Sequence, residues 1–170
     1  MMKRVILDTN IYGKIIREEE TDFVIEHAKK SGFVIYGCDA IRKELRKTAK
    51  DKTTHYSGKI EKIRLLLLRL YRLLVEYSRE IDVTEEMEEI ADAYYVSYKT
   101  AGGNRSKEEM MTDFIIVAAA TKKKLDIIYS EDNRTMLCDE AKTAYNTVNS
   151  IKDEKTPNFK SYGEFKNDIS

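Results

Sequence analysis

Four acidic residues stand at places in the chain where their carboxylates can act together. Asp8 and Asp132 each follow a short apolar segment of the kind that forms a buried strand. Glu44 lies early in a predicted helix, and Asp113 directly precedes the apolar run FIIVAAA. Taken singly, each acid has an ordinary interpretation as a helix cap, a turn former or a solvated ion-pair partner. Taken together, they come from separate segments that a single fold can bring to one small volume.

Carboxylates that converge in this way either raise one another's pKa or bind cations. The chain has only two histidines, His27 and His55, and its two cysteines, Cys38 and Cys138, are far apart in sequence, so a zinc site is not expected. An oxygen-only ligand set suits Mg²⁺ or Mn²⁺. One or two such ions activate water and stabilise a leaving oxygen in phosphodiester hydrolysis, with no need for a catalytic histidine. Metal-dependent phosphodiester hydrolysis is therefore one hypothesis for the cluster.

The segments that carry these acids alternate between strand-like and helix-like patterns. Predicted strands cover Lys3–Leu7, Phe33–Tyr36 and Leu125–Tyr129, with helical patterns between them. This alternation predicts right-handed crossovers and a three-layer α/β/α sandwich with a central parallel sheet. Asp8 and Asp132 would then lie at the carboxyl edge of that sheet, where open α/β folds bind their ligands.

The strongest helical pattern runs from Lys59 to Arg79, with leucines on more than one face. Such a helix packs against two neighbours or contributes to a subunit interface, and the pattern leaves both open. A possible short strand covers Thr147 and Val148, and a charged tail follows. With no repeat and no linker, we predict one domain, with residues 1–150 as its main body and residues 151–170 as a C-terminal extension of the same domain.

Overall charge predicts no partner, since Lys plus Arg equals Asp plus Glu, 30 each. The apolar stretch Leu65–Leu68 is interrupted by Arg69 and is too short to span a bilayer. The residues before Asp8 are too few for a signal peptide, and isolated cysteines are typical of reduced thiols. We therefore expect a cytoplasmic protein that does not enter the membrane.

Three stretches of the sequence resemble motifs of the PIN-domain family: VILDTNIYGKI, DAIRKELRK and MMTDFIIVAAATKKKLDIIYSED. The first has an apolar strand followed by Asp-Thr-Asn and an apolar helix start. The second has a glutamate before a leucine within a helix, and the third joins an aspartate, an Ala-rich helix, a short strand and Ser-x-Asp. The resemblance spans about residues 3 to 137, and the order and spacing of the motifs make it fairly specific.

The resemblance implies an α/β/α fold, divalent-metal nuclease activity on single strands, and frequent homodimers. The positions that match the family are the metal-binding catalytic acids Asp8, Glu44, Asp113 and Asp132, and the supporting polar residues Asn10 and Ser130. Many prokaryotic members are VapC-type toxins that cleave RNA and are held inactive by an antitoxin. The implied partners are thus an RNA substrate, a second copy of the chain and an antitoxin protein.

Two departures weaken the toxin assignment more than the nuclease assignment. Toxin-like members commonly have an Asp-Phe pair shortly after the fourth motif, where this chain reads Thr135-Met136. The predicted helix from Lys59 to Arg79 is also larger than expected of the smallest toxins.

Nucleic acid requires cations to meet its phosphates. The candidates are Arg46, in the basic stretch around Glu44, and Arg134, just after Asp132, although the basic stretch is equally consistent with the solvated face of a helix.

Two competing hypotheses for the function remain. One is a non-catalytic RNA- or protein-binding module of the same fold. The other is a phosphohydrolase that uses Asp8 as a nucleophile, against which Asn10 stands where such enzymes commonly have a second aspartate.

Overall fold

The central sheet determines where the acids lie. The computed structural model describes residues 1–170, with the side chain of Tyr77 outside the description. The strands are β1 (Lys3–Leu7), β2 (Phe33–Cys38), β3 (Thr53–Tyr56), β4 (Lys59–Lys62), β5 (Glu80–Ile81), β6 (Ile127–Tyr129) and β7 (Asn158–Lys160). Within the described chain, five of them form a parallel sheet in the order β5-β2-β1-β6-β7. Val5, Ile6 and Leu7 of the central strand are fully buried, as expected of a strand covered on both faces.

The helices are α1 (Thr9–Arg17), α2 (Thr21–Lys30), α3 (Asp39–Arg46), α4 (Ile63–Leu74), α5 (Glu85–Thr100), α6 (Lys107–Lys122), α7 (Asp139–Ile151) and α8 (Tyr162–Ile169), with a 3₁₀ turn at Tyr77–Arg79. One group packs through α5, α6 and α7, and a second packs through contacts of α4 with α1 and α3 and of α2 with α8. The predicted α/β/α sandwich with a central parallel sheet is confirmed. No helix of the described residues has the length and apolar character needed to cross a membrane.

Helix α6 begins at a well-defined residue, and this fixes the position of Asp113. The Ser106 side chain accepts a hydrogen bond from the Glu109 backbone N–H, and the Glu109 carboxylate accepts one from the Ser106 backbone N–H. This capping box satisfies donors that the first turn would otherwise leave unpaired. The run from Ile116 to Ala120 behind Asp113 is fully buried, so α6 is anchored at both its start and its middle.

The prediction of one long helix from Lys59 to Arg79 is wrong at both ends. Lys59–Lys62 forms a strand that pairs antiparallel with Thr53–Tyr56. Ser57 and Gly58 both have positive φ, the backbone that a two-residue hairpin turn requires. A four-residue strand is too short for its pattern to be separated from a helix start. The helix ends at Leu74 because Val75 adopts an extended conformation.

The end of the chain also differs from the prediction. Thr147 and Val148 lie within α7 and form no strand. Beyond that helix, β7 pairs with β6 in the central sheet, and α8 packs against α2 with Phe165 fully buried. This charged segment therefore contains one strand of the central sheet and one amphipathic helix that packs against the core. The high charge of the segment gave no sign of either element in the sequence.

Candidate active site

Asp8 lies at the junction between β1 and α1, where its carboxylate serves first as a helix cap. One carboxylate oxygen accepts the Thr9 backbone N–H at 2.7 Å. The other accepts the Asn10 side-chain amide at 3.0 Å and the Ser130 hydroxyl at 2.7 Å. The residue is only 3% exposed. Its carboxylate is thus held in one orientation by the two polar residues that the sequence singled out.

Asn10 and Ser130 join the ends of two neighbouring strands. The Asn10 side-chain oxygen accepts the Glu131 backbone N–H at 3.0 Å, while its amide donates to Asp8. The Ser130 hydroxyl donates to Asp8 and accepts the Asp132 backbone N–H at 3.1 Å. These bonds keep the loop after β6 close to the start of α1, so that Asp132 is brought to the same edge as Asp8.

Asp113 extends from the second turn of α6 toward the same edge. Its carboxylate accepts a hydrogen bond from the Thr135 hydroxyl. Burial raises the pKa of Asp113, and the neighbouring carboxylates of Asp8, Asp132 and Glu44 raise it further, although the Thr135 bond opposes the shift. Burial also raises the pKa of Asp8, against the hydrogen bonds that it accepts. The four acids therefore influence one another electrostatically, which shows that they share one region.

Asp132 and Glu44 are only partly buried, in contrast to Asp8. One oxygen of Asp132 accepts the backbone N–H groups of Arg134 and Thr135, so part of this carboxylate forms the turn that the sequence also allowed. Glu44 forms an ion pair with Lys47 at 2.9 Å, and its side chain is 37% exposed. Both residues combine an ordinary structural role with a position beside Asp8 and Asp113.

A cavity of about 400 Å³ lies between these four acids. Its lining residues are Asp8, Thr9, Asn10, Glu44, Lys47, Glu108, Glu109, Thr112, Asp113, Asp132 and Thr135. Only Lys47 among them is a cation, against six acids. Such a concentration of like charge attracts cations from solution. The cavity is thus suited to a positively charged ligand.

The donor chemistry of the cavity fits a hard divalent cation. Carboxylate and hydroxyl oxygens line it, without a histidine or a cysteine, and oxygen ligands are those that Mg²⁺ and Mn²⁺ prefer. As the side chains stand, no three acidic, histidine or cysteine groups among the described residues are arranged to hold a metal ion. The four acids therefore surround a shared cavity without forming a closed ligand set.

The two predicted nucleic-acid contacts fall outside this cavity. Arg46 lies at the end of α3 and lines a different groove, together with Arg42 and Arg72. Arg134 is exposed on the loop after Asp132, where its carbonyl oxygen accepts a hydrogen bond from the Arg105 guanidinium. The structure brings the four acids, Asn10 and Ser130 together. Arg46 and Arg134 do not line the acidic cavity.

Several lining residues were not anticipated from the sequence. Thr135, which departs from the toxin-like pattern, supplies the hydroxyl that binds Asp113. Glu108, Glu109 and Thr112 line the cavity because they occupy the first turns of α6. Ser106 and Glu109 have the sequence spacing of a capping box, and this spacing is the signal that places the start of α6 near Asp113.

The family of the chain follows from comparison of its sequence with family models. The model described as PIN domain matches residues 5–139, which include all four acids. The chain belongs to the PIN domain family. PIN domains are generally nucleases, and PIN nucleases generally use divalent metals. A sequence comparison with curated proteins found no match.

Solved structures support the PIN fold independently. One chain of the crystal structure of VapBC2 from Rickettsia felis, bound to a DNA fragment from their promoter, is similar with a TM-score of 0.55 and 12% identity. That match covers 93% of this chain and 98% of the other. One chain of the structure of FitAB bound to an IR36 DNA fragment is similar with a TM-score of 0.56 and 15% identity, covering 93% and 94%. At these identities the similarity establishes the shared fold.

Proposed function

We propose that this PIN domain is a divalent-metal-dependent endoribonuclease that hydrolyses phosphodiester bonds in single-stranded RNA of the cytoplasm. The observation that carries the proposal is the cavity shared by Asp8, Glu44, Asp113 and Asp132, in which burial and mutual repulsion both oppose ionisation of Asp113. Bound cations offset that repulsion. The membership of the chain in a family of nucleases supports the same reaction.

In this proposal the four carboxylates would hold Mg²⁺ or Mn²⁺, and the bound ion would supply activation of a water and stabilisation of the leaving oxygen. Asn10 and Ser130 fix the orientation of the Asp8 carboxylate, and Thr135 does the same for Asp113. Preorganised ligands avoid the cost of ordering them during the reaction. No side chain of the cavity needs to serve as the general base.

The proposal extends to a toxin that is held inactive by an antitoxin protein. The resemblance to VapC-type toxins supports it, as do the structural neighbours, which are chains of VapBC2 and FitAB structures bound to DNA fragments. Arg46 and Arg134 remain our candidates for contact with RNA outside the cavity.

A homodimer is the proposed assembly of the chain. Leu65 and Leu73 of α4 are 55% and 51% exposed, and Val96 of α5 is 66% exposed. Large apolar side chains that stay exposed on a helix, as two leucines of α4 do, are typical of a surface that a second copy covers. Sedimentation equilibrium should give twice the monomer mass, and a monomer at high micromolar concentration would contradict this assembly.

RNA cleavage with purified protein tests the proposal. Wild type should cleave a single-stranded RNA with Mg²⁺ or Mn²⁺ and lose the activity in a chelator. Asp8→Asn and Asp113→Asn should each reduce the rate by at least about 100-fold, the scale of a lost charged catalytic contact. Asp153→Asn is the matched control, because Asp153 is exposed and Asn tolerates its positive φ. Full activity in both site variants would refute the proposed site.

The absence of a closed ligand set among the described residues favours one alternative, a non-catalytic PIN module that binds RNA or protein. Calorimetric titration with Mn²⁺ separates the two. The nuclease requires binding that Asp113→Asn weakens, whereas the alternative predicts no binding and no cleavage.

A further inference from the structure

The β3–β4 hairpin lies between α3 and α4 in the order of elements. Its strands pair in the register Thr53↔Lys62, Thr54↔Glu61, His55↔Ile60 and Tyr56↔Lys59, in a sheet separate from the central one. The Ile63 backbone N–H donates to the Lys52 carbonyl oxygen at 3.1 Å, which closes the base of the hairpin. A lone hairpin is only marginally stable in water, so it needs support from the body of the protein.

The two faces of the hairpin have different surroundings. Directly opposed residues share a face, so Tyr56 and Glu61 lie on one face, and Tyr56 packs against the core at its margin. The other face carries Thr53, His55, Ile60 and Lys62, all of them exposed. Ile60 is 69% exposed. The supported face explains how the hairpin is held, whereas the exposed face has no packing role.

The hairpin and its base are strongly basic within a chain of zero net charge. Residues 50–64 contain five Lys or Arg and two acids, a net charge of +3. The cations are Lys50, Lys52, Lys59, Lys62 and Arg64. Among the described side chains, none of these five forms an ion pair, whereas Lys43, Lys47 and Lys107 each do. Their positive charge is therefore not neutralised by the protein.

The basic hairpin begins close to the acidic cavity. Lys47 lines the cavity, and β3 starts only six residues later at Thr53. Six residues span at most about 20 Å even when fully extended. A nucleic-acid strand that occupies several nucleotides of binding surface covers that distance. A strand whose scissile phosphate enters the cavity can thus pass over the hairpin.

We propose that the β3–β4 hairpin and its base bind the phosphate backbone of the RNA substrate, as an arm that compensates for the negative charge of the cavity. The inference rests on the proposed function, because an RNA substrate must approach six acids. Lys62 lies on the exposed face, Lys52 at the base of the hairpin and Lys59 beside its turn, and all three are exposed. These lysines meet phosphates, and His55 and Ile60 on the exposed face contact bases. The arm supplies affinity without sequence preference, since phosphate contacts carry no sequence information.

An ordinary structural explanation exists for the same lysines. Lysines on exposed strands discourage edge-to-edge aggregation, and this role requires neither RNA nor proximity to the cavity. The two explanations predict different effects when the charges of these lysines are removed by substitution. A protective role predicts increased self-association and unchanged RNA affinity, whereas the arm predicts lost affinity together with a smaller salt dependence.

The test measures the affinity of the full chain for a fluorescein-labelled single-stranded RNA oligonucleotide by anisotropy over a series of salt concentrations. All proteins carry Asp113→Asn and contain no added metal, so that the RNA stays intact. One variant combines Lys52→Gln, Lys59→Gln and Lys62→Gln. The control combines Lys123→Gln, Lys152→Gln and Lys155→Gln, which are equally exposed and lie outside the hairpin. Circular dichroism and the melting temperature verify that both variants fold.

The hairpin variant should bind RNA at least about 10-fold more weakly, and the slope of log affinity against log salt should fall by about 2, at about 0.7 per phosphate contact. The control should change affinity by less than about 2-fold. Equal losses in both variants, or no loss in the hairpin variant, would overturn the inference. Cleavage by the metal-loaded wild type is scored separately. Cleavage without hairpin-dependent binding refutes the arm alone, and hairpin-dependent binding without cleavage refutes the nuclease alone.

Discussion

At the scale of single residues, Asp113 shows why the cavity favours cations: a positive charge nearby would stabilise its ionised carboxylate. Burial and three neighbouring carboxylates raise its pKa, so that its ionisation opposes folding. The ordinary pKa of an aspartate in an unfolded chain is about 3.9. A carboxyl with a higher pKa in the folded state contributes stability that is fully present below this value. That contribution is lost as the pH rises through the raised pKa of the folded protein.

Asp113→Asn should therefore stabilise the metal-free protein at pH 8 and have little effect at pH 4. The amide keeps an acceptor for Thr135 and removes the charge, so we expect a gain of about 1–3 kcal/mol at the higher pH, in the usual range for a single substitution. Thermal unfolding in a chelator at both pH values measures it, with the exposed Asp153→Asn as control. A pH-independent effect would show that Asp113 is not under electrostatic strain.

The sequence predicted the four acids as site residues from different kinds of evidence. The positions of Asp8 and Asp132 after apolar strands indicated the carboxyl edge of a sheet, and the structure places both there. Glu44 rested mainly on the PIN-like motif, because helical periodicity alone made it a solvated residue. Thr135 was not predicted as a site residue, since a hydroxyl far along the chain gives no pattern from which its bond to Asp113 could be inferred.

At the scale of elements, the loop before α6 determines where that helix begins, and Asp113 lies in its second turn. A Cβ on buried Gly103 would lie 2.2 Å from a ring carbon of Tyr98. The Tyr98 hydroxyl in turn accepts the Arg105 backbone N–H at 3.2 Å, just before the capping box. The close approach of Gly103 to the ring thus sets the entry into α6.

Gly103→Ala should destabilise the protein by about 1–3 kcal/mol, the usual cost of overpacking. Gly13→Ala is the matched control, because nothing lies within 4 Å of a Cβ at Gly13 in α1. That change should stabilise by about 0.4–1 kcal/mol. Urea unfolding measures both. Equal effects of the two substitutions would show that the contact with Tyr98 does not constrain the loop.

The buried central strands and the core of α6 were predicted well, whereas the β3–β4 hairpin and the two ends of α4 were not. The capping box at Ser106 and the apolar core of α6 follow directly from residue type and spacing. The β3–β4 hairpin was missed because four residues such as Lys-Ile-Glu-Lys satisfy both a strand and the start of a helix. The turn at Ser57-Gly58 separates the two, because positive φ at both residues suits a two-residue hairpin.

At the scale of the whole molecule, the C-terminal segment packs against β6, the strand that precedes Ser130 and Asp132. The Ser130 backbone N–H donates to the Lys160 carbonyl oxygen at 2.9 Å, so β7 holds the strand that leads into Asp132. Phe165 of α8 packs against Tyr129 with a ring separation of 5.0 Å. We propose that residues 151–170 are part of the same domain as the rest of the chain.

Phe165→Ala should destabilise the protein by about 3–5 kcal/mol, because it leaves a cavity in the core. Ile151→Ala is the control, since Ile151 is 81% exposed and its truncation should change stability by at most about 0.5 kcal/mol. Chemical unfolding of both variants tests the domain assignment. Similar small effects would indicate a loosely attached extension.

The central claim is that Asp8 and Asp113, with Glu44 and Asp132 beside them, bind a divalent cation. The most direct measurement is the anomalous difference density of a crystal soaked in Mn²⁺. We predict a peak in the cavity within coordination distance of the Asp8 and Asp113 carboxylates, at about 2.0–2.2 Å from their oxygens. The peak should disappear in crystals of Asp113→Asn. A cavity without a peak, in a crystal that binds Mn²⁺ elsewhere, would contradict the account.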